Sequence, residues 1–235
     1  MKILALESSA ETCSVALTDG HQDYIQIRHE PRQHAKMFLP LVQTVLDQAG
    51  FTLKDLDAIA FGRGPGSFTG LRICMSVVQG LAYGAEIPVI PISTLEGLAY
   101  SAQRNLLLPE GSTVVAGFDA RMSEVYLGCF NVVNGTTVLH NAESVIGIEA
   151  AKEPASQLQL KTACFVGSAW KIEQLAEFSS PEMSDLSVTA EDILGLAKRE
   201  FLNGNVMSVE NAQPVYLRDD VAWEKRVRIR TENLV

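Results

Sequence analysis

The chain is short of the residues that usually announce chemistry. Its 235 residues include four cysteines, four histidines and two tryptophans, and aromatics make up 7% of it. Cys13, Cys74, Cys129 and Cys164 are widely spaced and form no CxxC pair of the kind that metal and redox sites use. Cys13, Cys129 and Cys164 stand in apolar, strand-like runs, where a reduced thiol behaves as a small hydrophobe. His21, His29, His34 and His140 suggest no hydrolytic triad and no Cys/His signature. Positive charge is scarce too: 19 Lys and Arg against 28 Asp and Glu leave a net charge of -9. A free-standing nucleic-acid binder carries an electropositive face, so this balance argues against strong direct binding of RNA or DNA. Binding with the help of a basic partner stays open. No apolar run reaches the length of a membrane span. The opening "MKILALESS" has one Lys, a short apolar run and Glu7 close behind, so it is not read as a signal peptide. These absences predict a reduced, cytoplasmic compartment.

What remains is an ordinary soluble composition, 47% hydrophobic and 20% charged, in a chain long enough for one large domain or two small ones. "KILALE" (2–7), "CSVALT" (13–18) and "DYIQIR" (23–28) predict an antiparallel meander. From His34 the period changes: Phe38, Leu41, Val42, Val45, Leu46 and Ala49 predict a helix over 34–49, with Pro40 kinking it or lying near its start. Thr52 and Asp55 resemble a capping box, and "LDAIAFG" (56–62) a buried strand. A helix over 68–84, a strand at 88–92 and a helix near 94–107 with Ser93 and Glu96 as its box complete a first lobe, 1–105. A second, 106–235, follows "LLLPEGS". It holds strands at 113–118 and 124–130, an Asn134-Gly135 hairpin turn, weakly periodic residues over 141–162 and a strand at 163–168. Helices near 169–178 and 189–201 close it, the latter capped by Thr189 and Asp192 and free to pack back on the first lobe.

Between the fourth strand and the second helix lies "FGRGPGSFTGLRI" (61–73). It lacks the spacing and Lys of a Walker A loop, and the GxGxxG pattern also fails. Two readings stand: a turn with backbone N–H groups exposed to an anion at a helix start, or a tight strand-to-helix turn whose glycines permit close packing. Along the following helix Ser76, Gly80 and Gly84 make a small-residue stripe. An interior glycine costs about 0.5–1 kcal/mol relative to alanine, so a close helix–helix approach should offset it. Approach within the chain is the commoner arrangement; approach across an interface is the other.

"ILALESSAETCSVAL", "RQHAKMFLPLV", "AFGRGPGSFTGLRI", "PVIPISTLEGLA", "FDARMSEVYLG" and "PVYLRDD", spread over nearly the whole chain, resemble the bacterial TsaB (YeaZ) family. The resemblance implies an α/β fold of the ASKHA class (actin, Hsp70 and sugar kinases; ribonuclease H-like), with two related lobes, each a mixed five-stranded sheet with flanking helices. It implies a role in making N6-threonylcarbamoyladenosine (t6A) beside the tRNA anticodon. There a catalytic paralogue, TsaD, transfers the threonylcarbamoyl group and the ATPase TsaE joins the pair. The implied role is that of a non-catalytic organiser, pairing with TsaD, or with itself when alone, and meeting tRNA through the complex. Thr94 and Leu98 stand where TsaD carries its HxxxH metal pair, and a hydroxyl and an isobutyl group cannot grip a metal as two imidazoles do. No metal and no cofactor is therefore required of this chain, with room left for weak ATP or ADP and magnesium at the complex interface.

The resemblance also assigns candidate residues. His34, Phe38, Leu41, Arg72, Ser76, Gly80 and Gly84 are the expected partner interface, on the helices 34–49 and 68–84. Glu7, Ser8, Ser9 and Thr12 of the first phosphate loop are candidate nucleotide contacts. Asp119 and Arg121, where a second phosphate loop would have paired glycines, are read as nucleotide-edge contacts or as an Asp–Arg surface pair. Lys225, Arg226, Arg228 and Arg230 suggest a solvated basic tail or a phosphate contact. The alternative from another class is a stand-alone ASKHA-type ATPase or phosphotransferase.

Overall fold

The computed structural model describes residues 1–29, 34–159 and 163–218. Strands β1 (Ile3–Glu7), β2 (Cys13–Thr18), β3 (Asp23–Arg28), β4 (Ala58–Gly64) and β5 (Val89–Ser93) form one sheet in the order β3-β2-β1-β4-β5. β1 pairs antiparallel with β2 and parallel with β4, so the expected meander opens into a parallel half. Every residue of β1 and β2 is buried. Both faces of a central strand are covered here, which is why these strands read as continuous apolar runs rather than alternating ones.

The second sheet contains β6 (Thr113–Arg121), β7 (Glu124–Val133), β8 (Thr136–Leu139), β9 (Ser144–Gly147) and β10 (Cys164–Val166). β10 joins β6 in parallel, and β6 and β7 form a long antiparallel hairpin. The far edge of β7 is shared: β8 pairs with its later residues and β9 with its earlier ones. Both sheets are therefore mixed and five-stranded.

Six α-helices are described: α1 (His34–Ala49), α2 (Phe68–Ala85), α3 (Thr94–Leu106), α4 (Ile148–Gln159), α5 (Pro181–Asp185) and α6 (Ala190–Leu202). One face of the first sheet, with Leu4, Leu6, Val15, Ile59 and Phe61, packs on Phe38, Leu41, Val42 and Val45 of α1 and on Cys74 and Val78 of α2. Each such aliphatic or aromatic side chain contributes roughly 1.5–3 kcal/mol when fully buried. Its other face, with Ile3, Ala5, Ala58 and Ala60, packs on α3 and α6, and those helices also meet Val114, Ala116 and Phe130 of the second sheet. The outer face of the second sheet is covered by Ala151 and Ala155 of α4 and by Trp170 and Leu175. The layers thus run helix, sheet, helix, sheet, helix, the two-lobed α/β arrangement of the ASKHA class.

α6 belongs to the later half of the chain yet lies on the first sheet. The Ala190 N–H donates to Ser14 Oγ at 2.8 Å, and Lys198 pairs with Asp23 of β3. Arg104 of α3 holds both Glu191 and the buried Asp192, and Arg199 joins Glu96 of α3 to the Thr137 carbonyl of β8.

Several sequence expectations change. The helix expected near 169–178 is two 3-10 turns, Ser168–Lys171 and Glu173–Phe178, broken at Ile172 by extended backbone. The weakly periodic stretch over 141–162 contains β9, whose pairing with β7 is non-local, as well as α4. α2 runs one residue past Gly84 and ends with Glu86 in the left-handed region at φ 57°. Pro40 lies inside α1 rather than near its start. The basic residues Lys225 to Arg230 lie outside the described residues.

Candidate functional site

Three neighbouring features carry the candidate residues: the glycine turn, the cleft between the lobes, and the outer face of α1 and α2. The turn presses against the β1–β2 loop. A Cβ on Gly70 would stand 2.0 Å from the Ser8 carbonyl oxygen, and one on Gly66 would stand 2.7 Å from Ser9 Cβ. Hydrogen bonds hold the contact: the Ser67 N–H donates to the Ser9 carbonyl at 2.8 Å, and Ser8 Oγ donates to the Gly70 carbonyl at 3.0 Å. Ser67 also caps α2, its Oγ accepting from the Gly70 N–H. Thr94 Oγ1 donates to the Pro65 carbonyl, tying α3 to the same turn, and Leu98 is fully buried in the core. Of the two readings of the turn, close packing is the one its geometry expresses.

The phosphate-loop candidates are largely turned inward. Glu7 and Ser8 are fully buried and Thr12 is 3% exposed, so they do not face the cleft; Ser9 lines it. Glu7 Oε1 accepts from both the backbone N–H and the hydroxyl of Ser9 at 2.5 Å. Its Oε2 faces the Cα of Gly62 and meets no hydrogen-bond partner among the described residues. Burial pushes the carboxyl up to about 7, against the opposing pull of the Ser9 hydrogen bonds. Nearby Cys13 and Cys74 are buried too, and burial pushes the Cys13 thiol up to about 12 and Cys74 upward as well, which keeps both as thiols.

The cleft has a volume of about 710 Å³. Among the described residues three cations line it, Arg121, Lys171 and Arg218, and each already has a carboxylate: Asp119 at 3.0 Å, Asp185 at 2.7 Å, and Glu124. Asp119 and Arg121 thus form the surface pair that was one of their two readings; the Asp119 carboxylate also accepts from the Arg121 N–H at 2.7 Å. Arg121, Met122 and Ser123 all have positive φ, so the β6–β7 turn is tight without any glycine. A polyanion entering this cleft would have to displace existing ion pairs. Together with the inward Glu7 and Ser8, this does not fit a tight nucleotide–magnesium site built by this chain alone. No group of three or more His, Cys, Asp or Glu suited to a metal occurs among the described residues.

The outer face is different. Ser76, Gly80 and Gly84 are all exposed, and a Cβ on either glycine would meet no described residue within 4 Å. Of the two readings of the stripe, an approach within the described chain is not the one formed: α2 meets the first sheet and α1 through its other side, with Leu71, Cys74, Val78 and Ala82 buried. Ser76 Oγ donates to the Arg72 carbonyl at 2.8 Å, leaving a small, internally satisfied surface. A groove of about 340 Å³ beside it is lined by Ala35, Phe68, Arg72, Ile73, Ser76 and Val77. The Arg72 guanidinium lies 3.9 Å from the Phe68 ring centroid, and its Nε donates to the Tyr216 hydroxyl at 3.4 Å.

Phe38 and Leu41, expected at the partner face, are instead core residues, 0% and 3% exposed. They share a helix side with Val42 and Val45, and the sheet claims that side. The His34 backbone begins α1, and its side chain lies outside the described residues. In place of Phe38 and Leu41 the surface offers Leu39 (57% exposed), Phe68 (55%) and Tyr83 (72%). The signal for Leu39 was available in the sequence: it is an apolar residue out of phase with the core positions of its helix.

Residues 28–225 match the family model of TsaD, tRNA N6-adenosine threonylcarbamoyltransferase. The tRNA threonylcarbamoyladenosine biosynthesis protein TsaB of Escherichia coli (strain K12) is 41% identical over 231 residues, which cover 96% of this chain and 98% of that one. The TsaB of Haemophilus influenzae (strain ATCC 51907 / DSM 11121 / KW20 / Rd) is 38% identical over 240 residues, 96% of this chain and 97% of that one. The solved structure of YeaZ from Pseudomonas aeruginosa superposes with a TM-score of 0.81 at 39% identity, covering 92% of this chain and 99% of that chain.

Proposed function

The chain belongs to the TsaB (YeaZ) family of tRNA threonylcarbamoyladenosine biosynthesis proteins, and we propose that it serves there as a non-catalytic organiser. Its partner in this reading is the catalytic subunit TsaD, and the ATPase TsaE joins the pair at their junction. The chain alone pairs with a second copy through the same surface, because a self-complementary patch closes readily into a two-fold dimer. One observation carries the reading: the Ser76/Gly80/Gly84 stripe is exposed, and none of the described residues fills the space beside its glycines. Glycine weakens a helix interior, so two of them on an open face are best understood as room for another helix. Leu39, Phe68 and Tyr83 supply the apolar area, which contributes about 25 cal/mol per Å² before the costs of association.

The effect on chemistry is indirect. Docking holds TsaD competent, and tRNA meets the assembly through its partners, in keeping with this chain's net charge of -9. Any ATP or ADP held with magnesium belongs to the surface shared with the partner, and the chain requires no cofactor of its own. The working place is the cytoplasm; among the described residues no helix is long and apolar enough to cross a membrane.

The test is reconstitution. With TsaD, TsaE, the threonylcarbamoyl donor and tRNA, modification should stop when this chain is omitted and return when it is restored. Purified alone with ATP and magnesium, it should show no turnover. Sustained hydrolysis by the isolated chain would replace this reading with the stand-alone ATPase or phosphotransferase.

A further inference from the structure

After α6 the chain doubles back over the first lobe. Met207 bridges Val89 of β5 through two backbone hydrogen bonds of 2.9 and 3.0 Å, and Val209 and Ala212 enter the core beneath α1 and α2. The Val215 N–H then donates to the Arg63 carbonyl in the glycine turn at 2.7 Å. Next, the Tyr216 ring packs on Phe68, centroids 5.6 Å apart, while its hydroxyl accepts from Arg72. Two residues later Arg218 crosses to the other lobe. Its Nη2 donates to the Ala120 carbonyl at 3.1 Å, to the Arg121 carbonyl at 3.4 Å and to the Glu124 carboxylate, and Nη1 lies 3.6 Å from Met122 Sδ.

A single short segment therefore grips both walls of the cleft. On one side it holds the glycine turn and the first residues of α2. On the other it holds the β6–β7 turn, whose three consecutive residues of positive φ need an outside hold to stay as they are. We propose that residues 212–218 are a strap that couples opening of the inter-lobe cleft to the docking face of α2 through its Phe68–Arg72 turn. This rests on the reading of that face as the docking surface. When the lobes part, either Arg218 releases the β6–β7 turn or Tyr216 is drawn off Phe68 and Arg72. Arg218 and Tyr216 are positioning residues in this scheme, acting on the docking face through Phe68.

Hydrogen exchange on the full chain tests the coupling. Arg218→Ala should raise exchange in 119–124 and also in 63–69, with β1 and β4 unchanged as a control for global unfolding. Tyr216→Ala should speed 63–69 with less effect on 119–124. Pairing, read by sedimentation or by titration with TsaD, should weaken about fivefold or more in Arg218→Ala, a size typical of coupled sites. Faster exchange confined to 119–124, with 63–69 at the wild-type rate, would overturn the strap. A Gly80→Trp variant separates the two ideas. Pairing retained in it defeats the docking reading while the exchange result still decides the strap.

Discussion

The two ends of α2 use glycine in opposite ways. At the N-terminal end, Gly66 and Gly70 are closed in: added methyl groups would meet Ser9 Cβ at 2.7 Å and the Ser8 carbonyl at 2.0 Å. At the C-terminal end, Gly80 and Gly84 are open, with no described residue within 4 Å of the same added atom. The first pair lets the turn lie on the β1–β2 loop and shuts what a phosphate binder would keep free. The second leaves an uncovered shallow face on a helix whose opposite side is fully engaged. One helix thus joins a closed turn to an open surface, and that contrast is why recognition, rather than chemistry, is the function proposed for the chain.

Substitution at the closed end gives the largest expected effect. Gly70→Ala should destabilise the chain by roughly 3 kcal/mol, because the obstacle is backbone and cannot rotate away. The denaturant midpoint reads this directly, and an unchanged midpoint would mean that the turn and the loop are not in contact.

Glu7 beneath the same turn gives an effect of similar size that depends on pH. Its folded pKa of about 7 lies above the usual 4.5, so the fold favours the protonated form. The associated stability is fully present below 4.5 and is lost as the pH rises through 7, a difference of about 3 kcal/mol. Glu7→Gln keeps an oxygen for Ser9 and removes the charge. It should therefore stabilise the chain clearly at pH 8 and much less at pH 5; equal shifts at both would contradict the buried carboxylate.

At the open end the sign reverses. Gly80→Ala and Gly84→Ala should each stabilise the isolated chain by about 0.5–1 kcal/mol, since alanine restricts the unfolded chain and meets no neighbour. Destabilisation of the monomer would show that the stripe has a partner inside the chain. The smallest effect belongs to the cleft wall. Arg121→Ala breaks an exposed pair with Asp119 and should leave the denaturant midpoint within error.

Much of the fold was legible because its signals are local. The spacing of Phe38, Val42 and Val45 marks α1, whose observed span is His34–Ala49. Ser93 caps α3 by accepting from the Glu96 N–H, and the Thr52–Asp55 and Thr189–Asp192 boxes both form. Asn134 and Gly135 take the left-handed conformations a two-residue hairpin requires. The rest depends on contacts between distant residues. Helical spacing finds the apolar side of α1 but not what covers it, and for Phe38 and Leu41 the cover is the chain's own sheet rather than a partner. The stripe on α2 was visible as a pattern, but only tertiary packing decides which way it faces. Nothing local to "ESSAET" reveals that the glycine turn packs on Ser8 and Ser9 and holds Ser8 inward, through a Ser8–Gly70 bond that spans 62 positions of the chain.

The most direct measurement is a calorimetric titration of TsaD with the Gly80→Trp variant, beside a melting curve of the variant alone. An indole projecting from an open face should not lower the melting temperature of the monomer and should abolish measurable binding to TsaD. Binding at wild-type strength, with the fold intact, would contradict the assignment of this helix face as the place where the partner docks.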